Sequence, residues 1–247
     1  MKYQSYFIVC LLTAMLTWFA SATLGLPFWA IMLLALPALG IAQMNLSNRY
    51  NGRASLEFEP VPETGYQARL DGLEMMRHYL FPLGFQKTDE FYLKTSCDVV
   101  TFLHQHESEP VYLCNYHFGK MVGTDLITHF ENDITLTTCT LRSAGTAPRP
   151  PRNLLQVFEN RPLEEVFDYH QHAIAFIKHQ GLMPVRVSQL FFKARFMQSL
   201  REFYSQTRNV FWPVKFMYWH FTHRGKLYAK PIQEQYLAGM IKIFPKA

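Results

Sequence analysis

The chain has 247 residues, 49 % hydrophobic, 15 % aromatic and 17 % charged, with a formal net charge of +5. That balance excludes a disordered or low-complexity chain, which lacks the apolar surface to build a core. Cys10, Cys97, Cys114 and Cys139 contain no C-x-x-C pair, which argues against structural zinc, and reduced thiols fit a cytosolic domain.

No charge occurs between Lys2 and Arg49. Within this stretch Ser5–Leu24 forms one apolar run and Phe28–Met44 a second, separated by Gly25-Leu26-Pro27. Both approach the length of about 20 residues that crosses a bilayer, so the pattern predicts a two-helix transmembrane hairpin. Lys2, Arg49 and Arg53 on its outer flanks place both ends in the cytoplasm by the positive-inside rule. Lys2, the first run and Ala20-Ser21-Ala22 also match a cleaved signal peptide, which would leave the second run as a single anchor.

Asn45–Thr64 is polar and reads as a linker. Leu70, Leu73, Met76 or Arg77, and Leu80 recur at helical spacing before Pro82 and Gly84, predicting a helix over Tyr66–Phe81. Five alternating stretches follow: Phe91–Lys94, Val99–His106, Val111–Phe118, Thr124–Phe130 and Ile134–Leu141. Short polar gaps between them predict a five-stranded antiparallel meander, with Tyr112, Cys114, Tyr116 and Phe118 on the core face. Ser143–Asn153 is a proline-rich loop. Pro162–Gln180 is predicted helical, with Leu163, Val166, Phe167, His170, Ala173, Ile174 and Ile177 on one stripe. A further helix is expected over Val187–Gln206, and Asn209–Phe221 is aromatic but too short to span.

The charge is uneven. Met183–Ala247 carries eleven Lys and Arg against Glu202 and Glu234, a net of +9, whereas the preceding residues sum to −4. Basic and aromatic residues alternate there, a pattern suited to an anionic lipid surface. Lys215, Arg224, Lys226, Lys230, Trp212 and Trp219 are the candidate surface-contact residues.

Other motifs carry less. His104 and His106 share a strand face but lack a third ligand at fixed spacing. His170 and His172 diverge on a helix, and His172 and His179 lie two turns apart. Glu164/Glu165 and Asp89/Glu90 read as solvated charges, and no nucleophile elbow, phosphate loop or dinucleotide fingerprint is present.

The sequence therefore reads as α+β: a transmembrane hairpin (1–44), a linker (45–65), a two-layer domain whose meander is flanked by helices on one face (66–182), and a basic aromatic helical segment (183–247). The expected function is a membrane-anchored, non-enzymatic module at the cytoplasmic face that binds lipid headgroups or another membrane protein. Alternatives are an enzyme acting on a lipid-like or membrane-embedded substrate and a structural subunit of an envelope complex. The expected location is integral to a bacterial-type inner membrane, with the domain cytosolic. No catalytic, cofactor or metal residue is assigned, and no cofactor or nucleic-acid partner is expected.

Overall fold

Alternation between apolar and polar residues demands strands, and the strands demand cover for whichever faces are apolar. In the computed structural model that cover comes from both sides. The structure describes residues 15, 17–19, 21–25, 27–33, 58–62, 65–94, 98–118, 121–146, 148–206, 212–222 and 226–243. The chain divides into two units, Met1–Arg49 and Tyr50–Ala247.

In the first unit the described helical residues are 15, 17–19, 21–24 and 28–33, interrupted at Gly25, whose φ is 63°. Among the described residues no helix is long and apolar enough to cross a membrane. The transmembrane hairpin, and the integral-membrane placement built on it, are therefore corrected. Residues 1–14 and 34–57, which the hairpin reading and its orientation also used, lie outside the described residues.

The second unit holds one mixed sheet of eight strands. Its strands are β1 (Phe58–Glu59), β2 (Phe85–Leu93), β3 (Val99–His106), β4 (Tyr112–Phe118), β5 (Met121–Phe130), β6 (Thr135–Cys139), β7 (Asn153–Val157) and β8 (Pro184–Val185). The first seven lie side by side in chain order. Neighbours from β1 to β6 are antiparallel, β7 joins β6 in parallel, and β8 pairs with the end of β5. The expected five strands thus form part of a larger sheet. A one-residue irregularity at Thr88 interrupts the β2–β3 register, and the Thr88 hydroxyl donates to the Leu103 carbonyl instead. At the β5–β6 turn Asn132 and Asp133 both adopt positive φ, 59° and 61°, as short polar side chains tolerate best.

The helices are α1 (Gln67–Leu80), α2 (Leu163–His179), α3 (Gln189–Gln206), α4 (Trp212–Phe221) and α5 (Ile232–Leu237). On one sheet face Leu113, Leu126, Leu136 and Leu154 meet Val166, Ala173, Ile174 and Ile177 of α2, while Tyr92, Val100 and Phe102 meet Leu73 of α1. On the other, Phe91, Leu103, Tyr112, Cys114 and Ile127 enclose Phe192 of α3. Beyond them Cys139, Leu155 and Val157 meet Tyr228 and Trp219. The two-layer expectation is corrected for this reason: Leu113 and Asn115 are as buried as Tyr112 and Cys114, so neither face can meet water. Burying each large side chain contributes about 1.5–3 kcal/mol.

The α2 interface is not purely apolar. His170, fully buried, bonds through Nε2 with the Thr128 hydroxyl at 2.9 Å and through Nδ1 with that of Thr138 at 2.6 Å. Gln156 donates to Thr138 and to the Tyr169 carbonyl, and accepts the Ile232 N–H. One network therefore joins β5, β6, β7, α2 and the start of α5.

Gly84 ends the turn after α1 with a φ of 78°, and a Cβ there would stand 3.0 Å from His106 Nε2. Gly84→Ala should destabilise the domain by about 1–2 kcal/mol, read as a lower urea midpoint with unchanged slope. An unchanged midpoint would show that the turn relaxes without strain.

Candidate functional site

The helix α3 is amphipathic in a way that prepares a cleft. Phe192, Phe196 and Met197 turn to the sheet, while Arg195, Gln198, Ser199 and Glu202 recur at helical spacing on another face. Facing them is the connection between β6 and β7, where Pro148, Pro150 and Pro151 fix three φ angles and leave Arg149 and Arg152 between them. Lys215 of α4 completes the lining. The cleft so formed has a volume of about 640 Å³, within the range of ligand sites.

Its walls are tied together. The Asn153 amide donates to the Ser199 hydroxyl at 2.8 Å, joining β7 to α3. Arg195 donates to the Asp133 carbonyl at 2.6 Å and lies 3.3 Å from its carboxylate, joining α3 to the β5–β6 turn. The Thr135 N–H donates to the Arg152 carbonyl, fixing the loop's exit. Rigid walls spare the ordering cost that a ligand would otherwise meet.

The cleft is electropositive: Arg149, Arg152, Arg195 and Lys215 face only Asp133 and Glu202. Asp133 already meets Arg195 and, at 3.5 Å, Arg152. Glu202 accepts from Gln198 at 2.9 Å. Among the described residues Arg149 and Lys215 have no carboxylate within ion-pairing distance. Arg149 donates through Nη2 to the Ala144 carbonyl and lies over the Phe203 ring, and its Nε is enclosed without a hydrogen-bond partner. Its main-chain N–H donates to the Tyr228 hydroxyl at 2.9 Å.

Asp125 lies in register between Cys114 and Cys139 on the sheet face covered by α3 and α4, with Oδ1 enclosed and unpaired. Burial pushes its carboxyl up to about 6, against the pull of Cys139 and the Arg149 guanidinium. Burial also pushes the Cys114 and Cys139 thiols up, so both are packed neutral groups and not activated nucleophiles.

The residues expected to contact a surface divide. Trp212 is buried and packs on Phe216 at 4.8 Å, and Trp219 lies half-buried on Tyr228. Lys215 lines the cleft, Lys226 is exposed, and Lys230 pairs with Glu234 at 3.3 Å. Arg224 lies outside the described residues. In place of the tryptophans, α4 turns outward Val214, Tyr218 and Phe221, which are 59 %, 70 % and 74 % exposed. These follow at i, i+4 and i+7, a single stripe opposite the packed one.

The histidine pairs separate as well. His106 stacks on Phe167 and accepts the Glu109 N–H at 3.1 Å, which makes it a turn cap. His104 and His170 are core residues, and His172 and His179 are exposed. Among the described residues no group of three His, Cys, Asp or Glu is arranged to hold a metal. Arg149, Arg152, Asn153 and Ser199 were not singled out by the sequence. The polar stripe on α3 was legible in its spacing, whereas the loop that opposes it was legible only as proline-rich.

Fold and cleft together define an α+β protein with a mixed sheet covered on both faces and a basic cleft beside its parallel strand. No protein-family model, curated protein or solved structure matches the chain.

Proposed function

We propose that the folded unit is a non-enzymatic binding module that docks peripherally on anionic lipid headgroups through α4 and the basic cleft beside it. This needs no membrane-spanning segment. The observation that carries it is the doubly apolar character of α4. Phe216 on Phe203 of α3 and Trp219 on Tyr228 hold the helix to the domain and Trp212 is buried, yet Val214, Tyr218 and Phe221 remain turned outward. A helix with apolar stripes on two opposite sides has a second apolar surface to cover. Lys215 of the same helix and Lys226 are exposed, and the surrounding segment is strongly basic, which complements an anionic surface. Within the cleft Asp133 and Glu202 are both engaged by neighbours, an arrangement for positioning charge and not for shuttling protons.

Sedimentation with vesicles of equimolar phosphatidylglycerol and phosphatidylcholine tests the reading. The full chain should partition to them and much less to phosphatidylcholine alone. Tyr218→Ser with Phe221→Ser should weaken partitioning at least about a hundredfold, since each lost ring forfeits roughly 1.5–3 kcal/mol of burial. The near-ultraviolet circular dichroism should stay native, because both rings are exposed in the free protein. Equal partitioning of the variant and the parent would remove α4 from the interface.

A further inference from the structure

We infer that the cleft between α3 and the proline-rich loop takes a phosphomonoester carried on a polyhydroxylated group, such as an inositol phosphate. The inference deepens the lipid-surface reading and rests on it for the source of the ligand. Charge comes first. Four cations against two carboxylates leave the cleft with two positive charges in excess. A phosphomonoester carries about −1.5 to −2 near neutral pH and would balance them, whereas a phosphodiester or a single carboxylate would leave one over.

Geometry comes second. Asp133 already sits between Arg152 and Arg195 and Arg149 acts on the buried Asp125, which leaves Lys215, among the described residues, as the lining cation without a carboxylate neighbour. Guanidinium groups and an ammonium lining one cleft are donors that phosphate oxygens fit.

The remaining wall decides the carrier. A volume of about 640 Å³ far exceeds a bare phosphate. Asn153, Ser199, Ser205 and Gln206 supply neutral donors and acceptors, and no aromatic ring is among the lining residues. Hydroxyl groups match such a wall, and a stacked nucleobase does not. Lys215 lines the cleft one residue after the exposed Val214, so a phosphate held there lies beside the outward stripe of α4.

Isothermal titration of the full chain tests this with three probes: myo-inositol monophosphate, inorganic phosphate and unphosphorylated myo-inositol. The first should bind at least about tenfold more tightly than inorganic phosphate, and the third should give no measurable heat. Lys215→Gln, at an exposed position, should weaken the first probe about tenfold while leaving the unfolding midpoint unchanged. Equal affinity for the first two probes would overturn the polyol assignment. No binding of either, with vesicle partitioning intact, would overturn the cleft as the site and leave the lipid-surface reading standing. Vesicles carrying phosphatidylinositol monophosphate should displace the soluble probe. Tight soluble binding without displacement would support the cleft and overturn a headgroup as the source.

Discussion

His170→Leu is expected to lower the unfolding free energy by about 2–4 kcal/mol at about pH 7.5, measured by urea denaturation. The imidazole is fully buried between Thr128 and Thr138, and Leu has no group to meet either hydroxyl. Thr138 keeps the Gln156 amide, whereas Thr128 is left without its partner. The same variant should change how stability depends on pH. Burial pushes His170 down to about 3 and His129 to about 4, from the usual 6.5. Between those values and 6.5 the unfolded chain binds protons that the folded one does not. Stability is therefore full above 6.5 and falls as pH drops, by about 1.4 kcal/mol per unit for each group.

Asp125 acts in the opposite sense. Its folded carboxyl titrates at about 6 against an ordinary 3.8, so its contribution is complete below 3.8 and is lost as pH rises through 6. From about pH 7.5 to about pH 5 the two histidines together cost roughly 4 kcal/mol, and Asp125 offsets about 1.4 of it. His170→Leu should remove about half of the histidine cost, giving a flatter stability profile. If the profile keeps its parent slope, His170 is not the buried neutral group that the fold requires.

The legibility of this fold follows element size. The strands β3 to β6 each carry enough alternation to declare their period, and the polar gap at Asn132-Asp133 marks their hairpin. The strands β1 and β8 have two residues each, too few for any period to exist. Asn153–Val157 is a five-residue stretch of mixed polarity after a proline-rich loop, and its parallel partner β6 is fixed by tertiary packing and not by a turn. The burial of both sheet faces was also hidden. Tyr112 and Cys114 alternate with Leu113 and Asn115, and alternation alone does not reveal that both sets are buried. The uncharged N-terminal stretch met a length rule for spanning and does break at Gly25 as its sequence suggests, but among the described residues no helix is long and apolar enough to cross a membrane.

The site was legible in part for a related reason. Lys215 was marked by its place in a basic aromatic segment, and it does line the cleft. Trp212 and Trp219 were marked for the same composition, yet they share a helical face with Phe216 and are packed. Helical spacing, had it been applied to α4, separates them from Val214, Tyr218 and Phe221. Arg149 and Arg152 depend on the meeting of three distant segments, which composition does not encode.

Gly123 illustrates a demand that spacing conceals, and it supplies the second large expected effect. It pairs with Tyr116 across β4 and β5, and its backbone does not need a left-handed angle. What it needs is room: an added Cβ would stand 2.3 Å from Leu141 Cδ1 and 2.9 Å from Tyr116 Cε2. Gly123→Ala should therefore cost about 1–3 kcal/mol by overpacking. Leu141 belongs to the cluster around Cys139 and Tyr228, and truncating it to Ala should cost about 1–2 kcal/mol by opening a cavity. Combined, the two changes exchange one volume for the other. The double variant should be more stable than the sum of the single losses by about 1 kcal/mol or more in urea unfolding. Strict additivity would mean that the strands part to admit the methyl group, in which case Leu141 is not what holds Gly123 to glycine.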